Sequence, residues 1–213
     1  MATRSGSLRQ VRERELVAAT RALFDERGMQ HAPIDEIARA VGIARGLVYR
    51  QFSSKEELFV LTVTDYLDEL GELLEGLAAA EPDPRERLSR GMEAYAEFCR
   101  RYPAFLDCAL SLMHRPAMEL REQVSENVWL RLGQGMSRCV GYLIEALRGE
   151  VDDPEYVANV LWTQVLGTMH LARVGVGIRS LGPGVPDLFS VAPEDVVRTC
   201  VDSALALVDR AKN

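Results

Sequence analysis

The sequence is poor in the residues that build catalytic and metal centres. It holds three histidines, His31, His114 and His170, none at motif spacing from a nucleophile. It has no G-x-S-x-G elbow, no H-E-x-x-H pair and no glycine-rich phosphate loop. An enzyme is therefore not expected, nor is a cofactor. The four cysteines, Cys99, Cys108, Cys139 and Cys200, form no C-x-x-C pair and sit near no histidine at ligand spacing. That argues against zinc or a disulfide framework and reads as buried free thiols. No apolar run approaches the ~20 residues needed to span a bilayer, and the first eight residues are polar and basic rather than a secretory leader. A cytoplasmic protein with no membrane partner is the expectation. Internal repeats, low-complexity tracts and convincing runs of alternating β-branched residues are also missing.

What remains is a chain of 213 residues, 47% hydrophobic and 27% charged, with a net charge of −7. It can bury a substantial core without staples. The charge is unevenly spread. Residues 1–58 hold ten basic and eight acidic side chains, a balance of +2, whereas residues 59–213 hold fifteen and twenty-four, a balance of −9. Only the N-terminal segment suits a phosphate backbone.

Helical periodicity dominates from Arg12 to Arg210, so the chain reads as all-α with about nine helices. Leu16, Ala19, Leu23 and Phe24 share a face of the first, which Gly28 stops. Pro33 opens a short second helix, Gly42 ends it, and a third runs from about Arg45 to Phe52. Ser54 and Glu57 form a capping box for a long fourth helix. Later breaks fall at Pro82-Asp83-Pro84, Pro103 and Pro116. Residues 117–147 read as one long helix, Asp153-Pro154-Glu155 as the start of the next, and Gly175 to Ala192 as a mobile loop before a last helix from Pro193.

The turn Val41-Gly42-Ile43-Ala44 between two short helices packed on a third is the geometry of a helix-turn-helix. The run from Ala18-Ala19 through Leu23-Phe24-Asp25-Glu26-Arg27-Gly28 and Ile34-Asp35-Glu36-Ile37-Ala38 to Tyr49-Arg50-Gln51-Phe52-Ser53-Ser54-Lys55-Glu56-Glu57-Leu58 resembles the DNA-binding domain of the TetR family of transcriptional regulators. The resemblance implies a DNA-binding domain over residues 1–58 and a helical ligand-binding and dimerisation domain over residues 59–213. It implies phosphate contacts by Tyr49 and Lys55. It places Arg45, Gly46, Leu47 and Arg50 on the surface facing the major groove, with Arg45 suited to a guanine. Arg4 and Arg9 would trail as a flexible arm. Three departures from the family's habit involve four positions. Ala44 stands where a Ser or Thr usually caps the third helix, Ala32-Pro33 replaces a Thr-Thr pair, and Leu47 replaces a Thr.

For the rest of the chain, Tyr66, Met92, Tyr95, Phe98 and Tyr102, with Phe105, Met113, Trp129 and Met136, are candidates for the walls of a site for a small-molecule effector. Family architecture gives the last two helices to a homodimer interface. Leu161, Val165, Thr168 and Ala172 on one, and Val197, Val201, Ala204 and Val208 on the other, form stripes suited to it. The implied function is a repressor that leaves a palindromic, double-stranded operator when a largely apolar ligand binds. The competing reading is a helical interaction module whose helix-turn-helix no longer binds DNA.

Overall fold

A computed structural model of the chain describes residues 2–211, without the side chains of residues 2–7, 30 and 211. Among the described residues are ten α-helices, one short 3₁₀ turn and one β-hairpin. The helices are α1 (Ala2–Arg27), α2 (Ile34–Ala40), α3 (Arg45–Gln51), α4 (Lys55–Ala80), α5 (Pro84–Arg101), α6 (Pro103–Met113), α7 (Ala117–Gln123), α8 (Glu126–Leu147), α9 (Pro154–Val174) and α10 (Pro193–Ala211). The hairpin strands, β1 (Val176–Gly182) and β2 (Val185–Ser190), lie between α9 and α10. The all-α reading holds. None of the described helices is long and apolar enough to cross a membrane.

The chain packs as two compact units. The first takes residues up to Asp68 together with Asp107–Met136; the second takes Glu69–Leu106 and the residues from Ser137 on. In the first, Leu16, Val17 and Phe24 of α1 are buried, as are Ile34, Ile37 and Ala38 of α2, Val48 of α3, and Leu58 and Leu61 of α4. In the second, α5, α9 and α10 pack on one another, with Leu88, Met92, Tyr95, Leu161, Val165, Ala204 and Val208 in the core.

Three sequence expectations change. The helix expected over 117–147 is two helices, because Val124 is extended. The break is held from outside, by Glu57, which accepts hydrogen bonds from the backbone N–H and hydroxyl of Ser125. The loop expected over 175–192 is largely β-hairpin, with Ile178 opposite Leu188 and Arg179 opposite Asp187. Gly175, at φ 73°, ends α9, and Val191 N–H closes the ribbon onto the Gly175 carbonyl at 3.0 Å. The arm expected at the N-terminus is helical backbone from Ala2 on; the side chain of Arg4 lies outside the described residues. Arg9 is engaged with α3, where its carbonyl accepts from Gln51 Nε2 at 3.0 Å.

Candidate nucleic-acid interface and sensor region

The turn between α2 and α3 is built from the backbone. Gly42 takes φ 70°, which L side chains avoid. Its N–H donates to the Arg39 carbonyl at 3.1 Å, and the Ile43 N–H reaches back to the Ala38 carbonyl at 2.9 Å. This paired closure satisfies the last carbonyls of α2 and fixes the direction in which α3 departs. Val48 is buried, and Phe52 just past the helix is buried with it, so the opposite side of α3 faces out. Arg45, Gly46, Leu47, Tyr49 and Arg50 all lie on that exposed side, and Lys55 is exposed at the start of α4.

Arg45 has neighbours within the protein. Its guanidinium pairs with Asp35 of α2 at 3.1 Å, lies 3.5 Å from the Tyr49 hydroxyl and sits 5.7 Å over the Tyr49 ring. The hydrogen bond to Tyr49, and then the charge of Asp35, raise its pKa, so the cation persists. Ala44, the N-cap of α3, is extended and makes no side-chain cap hydrogen bond. Nothing lies within 4 Å of where a Cβ on Gly46 would stand, so the backbone there is open.

The start of α4 is tied down by a wider network than a capping box. Ser54 Oγ accepts from the Glu57 N–H at 2.9 Å and donates to the Gln123 carbonyl at 2.6 Å. Glu57 accepts from the N–H and hydroxyl of Ser53 at 2.5 and 2.7 Å, besides its bonds from Ser125. Burial alone would raise the Glu57 pKa, but the Ser125 and Ser53 hydrogen bonds outweigh it and hold the carboxyl below the usual range. A crevice of about 200 Å³ lies at the start of α4 in the same unit, lined among others by Phe24, Ile34, Ile37, Lys55, Glu56 and Arg115. Neither Ser125 nor this crevice was signalled in the sequence, because each depends on residues distant in the chain.

The nine candidate effector residues divide between the units. In the first unit Tyr66 is wholly buried; its hydroxyl donates to Asp25 at 2.6 Å and Arg21 lies 4.2 Å over its ring. Met113 and Met136 are exposed, and Trp129 is half-buried. In the second unit Tyr95 stacks on Trp162 with centroids 4.2 Å apart. Phe98 packs against Tyr102 at 4.8 Å and against Phe105 at 5.2 Å, and Met92 is buried. None of the nine lines the Lys55 crevice, or the cavity of about 420 Å³ that Arg9, Gln51, Ser125 and Arg131 border.

Of the candidate dimer stripes, Leu161, Val165, Val197, Ala204 and Val208 are buried within the single chain, and Thr168, Ala172 and Val201 are partly covered. These faces of α9 and α10 are occupied by their own unit. The exposed faces of the same helices carry other residues, Tyr156, Thr163, Gly167, Leu171 and Val174 on α9 among them.

A trihelical head with this turn and this outward face defines a helix-turn-helix protein, followed here by a larger helical region. Residues 16–61 match the family described as bacterial regulatory proteins, tetR family. Over 90 residues the chain is 32% identical to the HTH-type transcriptional activator FasR of Mycolicibacterium smegmatis, a match spanning 42% of this chain and 41% of FasR. The chain thus aligns with less than half the length of that relative. Among solved structures, a TetR transcriptional regulator from Rhodococcus sp. RHA1 superposes with a TM-score of 0.67 at 18% identity, covering 96% of this chain and 97% of that one. RolR in complex with resorcinol superposes with a TM-score of 0.65 at 16% identity, covering 94% and 89%. Residues 16–61 thus match the DNA-binding domain of the tetR family, and the chain as a whole shares its fold with solved tetR regulators.

Proposed function

We propose that the protein is a sequence-specific DNA-binding transcriptional regulator that acts as a homodimer. The observation that carries this reading is the outward face of α3. Arg45, Gly46, Leu47, Tyr49 and Arg50 are all exposed on a helix held in place through buried Val48. Major-groove readout needs such a face, with a planar guanidinium for guanine and apolar surface for a thymine methyl. Tyr49 and Lys55 are proposed to hold phosphates, with Lys55 at the positive end of α4. Two heads related by a two-fold axis would read half-sites about 34–36 Å apart, so a palindromic operator is proposed.

The effector is proposed to be small and largely apolar, bound by parting the aromatic cluster of Phe98, Tyr102 and Phe105 or the Tyr95–Trp162 stack. RolR, which shares the fold, binds resorcinol. Because α4 is one continuous helix from Lys55 to Ala80, a ligand-driven shift of its far end would move the end proposed to touch phosphate. Release on ligand binding makes the protein a repressor, whereas FasR is named an activator.

The test is binding of the purified protein to the DNA upstream of its own coding region, and to sites selected from random sequence, at two salt concentrations. Wild type is expected to bind with an affinity that falls with salt, and Arg45→Ala with Tyr49→Phe to lose at least tenfold. A folded wild-type protein that selects no sequence sinks the reading in favour of the interaction module. A reporter bearing the selected site, quiet with the protein and active without it, fixes the sign as repression.

A further inference from the structure

The β1–β2 ribbon presents an apolar surface that is left exposed among the described residues. It is an isolated two-stranded sheet. Its cross-strand pair Ile178 and Leu188 is 76% and 65% exposed, and Leu181 and Val185 are exposed nearer the turn. A lone hairpin in water is marginal at best and is ordinarily stabilised by packing one face on something else. Sheet edges are ordinarily guarded by charge. The ribbon's only two charged residues, Arg179 and Asp187, neutralise one another at 2.7 Å.

The apolar surface does not stop at the ribbon. Tyr156, Thr163, Gly167, Leu171 and Val174 follow one another at intervals of seven, four, four and three along the exposed side of α9, and none is charged. Leu171 and Val174 run directly into Val176 and Ile178, all four exposed. Gly167 stands near the middle of this face with open space where a Cβ would point. A glycine inside a helix is a destabilising choice; no close contact among the described residues calls for it, whereas a second helix crossing there would. A face that is uncharged along its length and narrowest at its centre is complementary to itself under a two-fold axis.

We propose that the hairpin is a clasp that closes on a second copy of this chain. The inference rests on the homodimer proposed above and assigns it a contact beyond helix packing. If α9 crosses its counterpart antiparallel at Gly167, residues equally distant from that glycine meet. Leu171 then lies against the second copy's Thr163, Val174 against its Val160, and the ribbon at Ile178 reaches its Tyr156. Tyr156 is 68% exposed in the single chain, an aromatic with nothing to cover it. Each copy thus lays its ribbon on the first turn of the other's α9, twice per dimer, and the ribbon gains the packing face it lacks alone.

The experiment is sedimentation equilibrium of wild type and of Ile178→Lys with Leu188→Lys, paired with oxidation of a Tyr156→Cys, Ile178→Cys variant. The expected results are a wild-type dimer, a dissociation constant raised at least tenfold in the lysine variant with its helical circular dichroism intact, and a disulfide-linked dimer from the cysteine pair. A wild-type dimer with an unchanged constant in the lysine variant overturns the clasp and leaves the homodimer standing. A wild-type protein that stays monomeric up to 100 μM overturns both. Should the lysine variant lose its helices, the cross-link decides alone, and its absence overturns the clasp.

Discussion

Glu57, on the first turn of α4, accepts both the backbone N–H and the hydroxyl of Ser125, 68 residues further along the chain. One carboxylate thereby sets the start of α4 and the break between α7 and α8. Replacing it by Gln removes the charge and turns an amide N–H₂ toward donors. Glu57→Gln is expected to destabilise the protein by about 1–3 kcal/mol at pH 7, the range for leaving buried hydrogen-bonding groups unsatisfied, read as a shift in the urea midpoint. The sign with pH follows from the lowered pKa. The carboxylate's contribution is complete above the unfolded-state value of about 4.3 and is lost as pH falls through the lower folded-state value. The gap between wild type and variant should close on acidification below about pH 4, and a gap that persists there contradicts the assigned role.

Arg45 is shared between Asp35 and whatever it would meet in the groove. The pair is exposed and screened by solvent, so it adds little to the fold. Asp35→Asn should leave the melting temperature within a few degrees of wild type and raise affinity for DNA, because a carboxylate is removed from a surface proposed to face phosphates. Gly46→Ala is the complementary variant. It has room for its methyl in the free protein and gains helix propensity worth up to about 1 kcal/mol, so it should melt no lower than wild type yet bind DNA more weakly. Equal loss of stability and binding in Gly46→Ala would mean the position serves the fold.

Gly91 of α5 admits nothing larger. A Cβ there would clash with the ring of Tyr142, whose hydroxyl is anchored to the Arg87 carbonyl at 2.7 Å. Gly91→Ala is therefore expected to destabilise by about 1–3 kcal/mol, the usual range for overpacking, despite its gain in propensity. Differential scanning calorimetry measures it, and an unchanged melting temperature would show that the ring swings aside freely.

All four cysteines are buried. Burial pushes the thiol of Cys108 up to about 12 and that of Cys200 to about 11, and raises Cys99 as well. The thiolate is the reactive form, so a thiol reagent at pH 8 should modify none of the four in the folded protein and all four in denaturant. Rapid modification of even one would contradict the burial assigned to it.

Much of this was legible from local chemistry. The turn at Gly42 and the caps at Asp83 and Asp153, each accepting an N–H three residues on, need only neighbours in the chain. What was hidden depends on distant partners. No glycine or proline marks residues 124–125, since the break there is fixed by Glu57. The hairpin was masked by Gly182, Pro183 and Gly184 at its turn, although Val176, Ile178 and Val185 are strand formers on either side. Periodicity on α9 and α10 marked the apolar stripes that the resemblance gives to a dimer interface. It could not say what covers them, and Leu161, Val165 and Ala204 turned out to be covered by their own unit.

The uncapped start of α3 has a thermal consequence. A seven-residue helix that begins at Ala44 with no side-chain cap is far below the ~12–15 residues at which isolated helices persist, and it is held mainly through Val48. In the proposed complex a phosphate at its first amides would supply the missing cap. Warming should therefore fray the reading head while the packed helices α5, α9 and α10 are still intact, so that occupancy of DNA fades over a range of temperature in which the protein as a whole remains folded.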